Sequence, residues 1–176
     1  QAKKEKADHV ILFATIGCSP LLEELVQNGK LNVTEVEHKW EVFGLRLIEN
    51  PWDGVKAALV IFGSDKRGTI YGMFHLSELI GVSPLVYWGD AQPQKRENQN
   101  IGPEEAMISK EPSVRYPGFF INDEWPCFGN WCMEKFGGFT AEMYDKVFEL
   151  LLRLKGNYLW PAMWTSSFAL DGPGLA

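Results

Sequence analysis

From Gly118 to Trp160 the chain reads strand, long helix, strand, and that order constrains what can surround it. Gly118-Phe119-Phe120-Ile121 is a short strand. Thr140 is placed to cap a helix on which Met143, Val147, Leu150, Leu151 and Leu154 recur at helical spacing. Arg153 and Lys155 fall in its last turn, and Gly156 ends it. Asn157-Tyr158-Leu159-Trp160 reads as a second strand. A strand–helix–strand unit needs cover on both faces of its sheet. One unit cannot supply that cover, so the pattern leads us to expect further chain after Ala176.

The residues before this unit read as a small α/β domain with a mainly parallel sheet, spanning 1–111, with the second domain at 112–176. Val10 to Ile16 is an apolar run ended by Gly17. Ser19 and Pro20 then open a helix with a stripe at Leu21, Leu22, Leu25 and Val26, stopped near Asn28-Gly29. Glu41 to Ile48 alternates as a strand, and Ala57 to Phe62 is a second buried run ended by Gly63. A helix is expected over 69–80, with Ile70, Met73, Phe74, Leu76 and Ile80 on one face and Gly81 closing it. Ala91 to Gly102 is polar and rich in turn formers, and reads as an exposed loop.

A net charge of −6 argues against nucleic acid as the main partner, since phosphate binding needs a basic face. Apolar runs are all interrupted well before the ~20 residues that a membrane span takes. Cys18, Cys127 and Cys132 form no disulfide framework and no zinc spacing, and His9, His38 and His75 are scattered, so neither a metal nor a nucleophile triad is expected. With free thiols and a polar start at 1–8 in place of an apolar leader, the reading leans to a cytoplasmic rather than a secreted protein.

Three groups of residues could carry chemistry. Gly63-Ser64-Asp65-Lys66-Arg67-Gly68-Thr69 joins a buried strand to a helix and sets two cations beside backbone N–H groups, which suits an anion; the competing reading is a tight turn with solvated Lys66 and Arg67. Asn122-Asp123-Glu124 stands at the carboxyl end of a strand. There the carboxylates of Asp123 and Glu124 point to opposite sides, so one faces a ligand at most, and the competing role is a loop-fixing Asp. Finally, Trp125, Trp160 and Trp164 sit at or just past strand ends, where an indole can stack on a sugar ring as readily as fill a core. For Phe119 and Phe120 a core role is expected.

These strings, in order, resemble glycoside hydrolase family 115. They are Gly63 to Gly72, Ile80-Gly81-Val82-Ser83-Pro84, Ile121 to Glu124, Lys135-Phe136-Gly137-Gly138-Phe139, Leu150 to Lys155, and Asn157 to Trp164. The likeness runs from about His9 to Asp171. It implies a xylan α-1,2-glucuronidase that removes glucuronic acid or its 4-O-methyl ether from glucuronoxylan or aldouronic xylo-oligosaccharides. The mechanism is inverting, no cofactor is needed, and the whole protein is often a homodimer. It implies that 112–176 opens an incomplete (β/α)8 TIM barrel. The principal catalytic acid and base then lie downstream of Ala176, and this stretch is inactive alone. Asn122, Asp123, Glu124, Trp160 and Trp164 would line the uronate pocket, with Lys66 and Arg67 pairing the sugar carboxylate. Many members carry Trp-Tyr-Trp-Trp where this chain has Leu85-Val86-Tyr87-Trp88, which weakens any stacking role there. Two other classes remain on the residues alone. One is a non-catalytic carbohydrate-binding module; the other, resting on the Gly17 and Gly63 loops, is a nucleotide-binding domain.

Overall fold

A computed structural model describes residues 8–161 and 163–171, without the side chain of Asp171. The polar residues at 1–7 and the turn formers Gly172-Pro173-Gly174 lie outside the described residues. Contacts divide the chain into two compact units, one formed by 1–82 with 93–113 and the other by 83–92 with 114–176.

The first unit is built on a four-stranded sheet. Its strands are β1 (His9–Thr15), β2 (Phe43–Glu49), β3 (Ala57–Gly63) and the short β4 (Met107–Ile108), in the order β1-β3-β2-β4. The expected mainly parallel sheet is instead mixed. β1 pairs parallel to β3, but β2 runs antiparallel to both β3 and β4. The reason is the connection 50–56, which is too short for a crossover; parallel neighbours need about a dozen residues or more between them. Asn50 and Gly54, both at positive φ, turn this hairpin.

β3 lies inside the sheet and is covered on both faces, which explains its unbroken apolar run. Ala58, Val60 and Phe62 pack with Leu22 and Leu25 of α1 (Pro20–Gln27) and with Leu31, Val33 and Val36 of the loop that follows. Leu59 and Ile61 face Leu76 of α2 (Lys66–Leu79). Ser19 caps α1 with Pro20 in its first turn, as the sequence indicates.

α2 departs from its expected register in two ways. It starts at Lys66, capped by Asp65, rather than at 69. Its buried face is Gly68, Tyr71, Gly72 and Leu76, while Met73 and Ile80 are exposed. Helix and sheet approach too closely for a larger residue at Gly72, where a Cβ would stand 2.4 Å from Ile61 Cγ2. Two small residues one turn apart thus set the contact face, and an apolar stripe alone does not reveal it.

In the second unit, β5 (Gly118–Phe120) and β6 (Tyr158–Trp160) pair in parallel, Gly118 opposite Tyr158 and Phe120 opposite Trp160. Two helices connect them. α4 (Ala141–Arg153) is the expected helix, capped by Thr140. α3 (Cys127–Phe136) was not foreseen. α5 (Phe168–Asp171) follows β6. Met143, Tyr144 and Val147 of α4 pack with Cys132 of α3, and Phe119, Ile121 and Leu159 close that core. Leu154, expected on this stripe, is exposed. Phe120 is also exposed, contrary to the expected core role. Successive strand residues point to opposite faces, so Phe119 meets the helices while Phe120 turns away and meets Trp160 edge-on at 5.8 Å.

The segment 83–92 straps this unit. Trp88 lies 5.3 Å from Trp131, contacts Phe128, and donates from its indole nitrogen to the Lys146 carbonyl at 3.3 Å. The Lys146 ammonium stands over the Tyr87 ring. Residues 91–100 are exposed and irregular, as expected for the polar loop. Trp88→Ala removes a packed indole and a hydrogen bond, and is expected to lower stability by about 2–3 kcal/mol. Denaturant unfolding of the variant checks this, and a change below about 0.5 kcal/mol would show that the strap is not part of the core.

Candidate functional site

The carboxyl ends of β5 and β6 bring two loops side by side, 121–126 and 163–167. Asp123 joins them. Its side chain is fully buried, and its carboxylate accepts five hydrogen bonds from the second loop. Oδ1 takes the Trp164 amide at 3.0 Å. Oδ2 takes the Thr165 amide at 2.6 Å, the Ser166 amide at 3.1 Å, and the Thr165 and Ser166 hydroxyls at 3.1 and 3.3 Å. Burial alone would raise the pKa of this carboxyl. The donors around it, led by the Thr165 and Trp164 amides, outweigh burial and lower it from 3.8 to about 2. Asp123 is therefore a carboxylate at any ordinary pH and has no proton to give. Its lone pairs serve the neighbouring loop, which is the loop-fixing role.

The residues on either side of Asp123 face elsewhere. Glu124 is exposed, as alternation requires once Asp123 points inward. Asn122 keeps a buried Oδ1 with no hydrogen-bond partner among the described residues, an unmet acceptor at the end of β5. Trp160 is 51% exposed and Trp164 72% exposed. Glu124, Trp160 and Trp164 thus set an open carboxylate and two open indoles around the clamped loops, with the buried, unmet Asn122 oxygen beside them. The sequence groups Trp125 with Trp160 and Trp164 as strand-end indoles, though the family resemblance does not assign it to the uronate pocket. Trp125 is 49% exposed and donates from Nε1 to the Thr165 hydroxyl at 3.4 Å. Thr165 and Ser166, which carry most of the clamp, gave no signal at all, because Ser and Thr in a loop are ordinary.

Lys66 and Arg67 belong to the first unit, in the first turn of α2. Asp65 already occupies the amide end of that helix: Oδ1 accepts from Gly68 N–H at 2.8 Å, and Oδ2 from Glu41 N–H at 2.9 Å. The N-terminal amide that an anion would use is met from within. Arg67 donates from Nε to the buried Glu41 carboxylate and lies over the Trp40 ring. Tyr71 turns its hydroxyl to Glu41 at 3.5 Å, and burial together with the Glu41 charge raises its pKa. Lys66 is exposed.

The comparisons with known proteins bear on this arrangement. The sequence profile described as Glycosyl hydrolase family 115 matches residues 109–176, the stretch that holds both strand ends. Among solved structures, a family 115 4-O-methyl-α-glucuronidase with specificity for decorated arabinogalactans superposes with a TM-score of 0.73 at 34% identity, over 87% of this chain. The chain belongs to glycoside hydrolase family 115. This family 115 chain spans about a fifth of that enzyme's length, the matched part being 20% of it. No curated protein sequence matches it. Among the described residues no helix is long and apolar enough to cross a membrane.

The depressed pKa of Asp123 has a thermodynamic consequence. Its folded-state value lies below the unfolded one, so its contribution is complete above about pH 4 and is lost as pH falls through about 2. Linkage makes it worth about 2 kcal/mol at neutral pH. Asp123→Asn is expected to be destabilised at pH 7 by about that amount and to lose the acid dependence between pH 4 and 2. Unfolding free energies of both proteins at pH 7 and pH 3 check this. An unchanged pH dependence in the variant would remove Asp123 as its source.

Proposed function

We propose that this chain is part of an α-glucuronidase that hydrolyses α-1,2-linked glucuronic acid, or its 4-O-methyl ether, from a polysaccharide main chain, with 112–176 opening a (β/α)8 barrel. One observation carries this reading. An open carboxylate and open indoles gather at the carboxyl ends of two parallel strands, where barrel enzymes build their sites, in the stretch that matches the family. Indoles suit sugar faces, and a carboxylate suits sugar hydroxyls or an acid–base role.

Inversion requires two carboxyls roughly 6.5–9.5 Å apart, one to protonate the leaving oxygen and one to activate the water that attacks the anomeric carbon. Asp123 fits neither role, since its oxygens are engaged and it is unprotonated. In this reading the principal acid and base lie beyond Ala176. Glu124, Asn122, Trp160 and Trp164 contact the sugar, and Asp123 positions them.

The resemblance points to xylan as the main chain, whereas the solved glucuronidase has specificity for decorated arabinogalactans. Both glycans can present the same 4-O-methyl-glucuronic acid, and the assay separates them. The full-length protein is expected to release the free uronic acid from glucuronoxylan or from uronate-decorated arabinogalactan. Glu124→Gln should lower kcat/KM by about tenfold or more. No release from either glycan would overturn the proposal.

A further inference from the structure

Beside Trp125 the second unit holds a cleft of about 300 Å³. Its walls are Trp125, Met133, Phe139, Thr140, Thr165 and Ser166, and its floor is the Gly137-Gly138 turn. Among the described residues no ionisable side chain lines it. The arrangement of Trp125 is fixed from behind. A Cβ on Gly129 would stand 2.5 Å from the indole ring, so only a glycine lets α3 support that ring so closely. The indole N–H is tied to Thr165. One ring face is therefore backed by the helix, and the residue is still half exposed.

The polar rim has a defined polarity. The Thr165 and Ser166 hydroxyls both lie within hydrogen-bond distance of the Asp123 carboxylate, which can only accept. Each hydroxyl proton is spent there, and what remains for the cleft is oxygen lone pairs. Thr140 Oγ1 accepts from the Met143 amide and keeps its proton. A uronate carboxylate needs several donors or a cation and finds one hydroxyl proton, at Thr140, beside lone pairs backed by a buried negative charge. A neutral sugar ring brings hydroxyl donors to those lone pairs and a C–H face to the indole.

We infer that this cleft is the subsite for an uncharged sugar ring of the glycan main chain, with Trp125 as its stacking platform, and that the uronic acid binds elsewhere. The inference rests on the glycosidase reading for its class of ligand and adds to it the residue that selects the main chain. It also separates the roles of the strand-end indoles, which the sequence had left undivided.

The test is binding by calorimetry to the full-length protein, with three probes: undecorated xylohexaose, an undecorated galactan oligosaccharide, and free glucuronic acid. At least one neutral oligosaccharide is expected to bind. Trp125→Ala should weaken it by about tenfold, the scale of one aromatic contact. Trp125→Phe should restore it to within about threefold, and glucuronic acid affinity should change by less than about twofold. The Phe variant keeps a ring on Gly129, so it guards against a folding defect in the Ala variant. Binding of neither neutral oligosaccharide to the unaltered protein would overturn the inference. So would equal losses for the neutral sugar and the uronic acid, or no loss in Trp125→Ala. Lack of hydrolysis would sink the glucuronidase proposal and leave these binding results standing, so the two failures can be told apart.

Discussion

The Asp123 carboxylate has its oxygens filled by three backbone amides and two hydroxyls of a loop some forty residues away in sequence. Two parallel strands of three residues each provide little pairing energy to hold their trailing loops together. The buried charge does so instead. It is stabilised by donors that are themselves fixed in the chain, and those donors become ordered because the charge is there. Removing the carboxylate would leave three part-buried amides without their acceptor, which costs more than the net worth of a solvent-exposed hydrogen bond. The exposure of Glu124 on one side and of Trp164 on the other follows from that clamp.

The first unit uses the same device at another place. Glu41 is buried, sits at positive φ, and is held through its backbone by Asp65 and through its carboxylate by Arg67. Asp65 also caps α2. One loop is thereby locked to the first turn of one helix, and the cation that resembled a free anion ligand is engaged in the lock. A buried carboxylate that loses its partner costs about 3–5 kcal/mol. A loss of activity in Arg67→Ala would therefore have to be separated from a loss of fold.

The chain's own patterns made a good part of this visible. The strands, the Ser19 and Thr140 caps and the strand–helix–strand order follow from periodicity and capping chemistry, which are local. Asn122, Asp123 and Glu124 were legible as a strand-end group, and alternation correctly gave opposite faces to the two carboxylates. Which of them is buried was not legible, because that depends on Thr165 and Ser166, whose role exists only in three dimensions. The sheet's direction is not legible from the alternation of elements, because the short 50–56 connection sets it by forbidding a crossover. The face of α2 was misread because Gly68 and Gly72, not the large apolar residues, mark the contact. α3 escaped notice because its sequence, Cys127 to Phe136, mixes Gly, Asn and aromatics and lacks a clear stripe.

Amide hydrogen exchange in the full-length protein tests the central claim most directly, namely that Asp123 is the fixed point of the strand-end site. The amides of Trp164, Thr165 and Ser166 lie in an irregular loop, where exchange would ordinarily be fast. If Asp123 holds them, they exchange at pH 7 as slowly as the amides of β6, and in Asp123→Asn they lose that protection while Met143 and Val147 of α4 keep theirs. Fast exchange of all three amides in the unaltered protein would contradict the account.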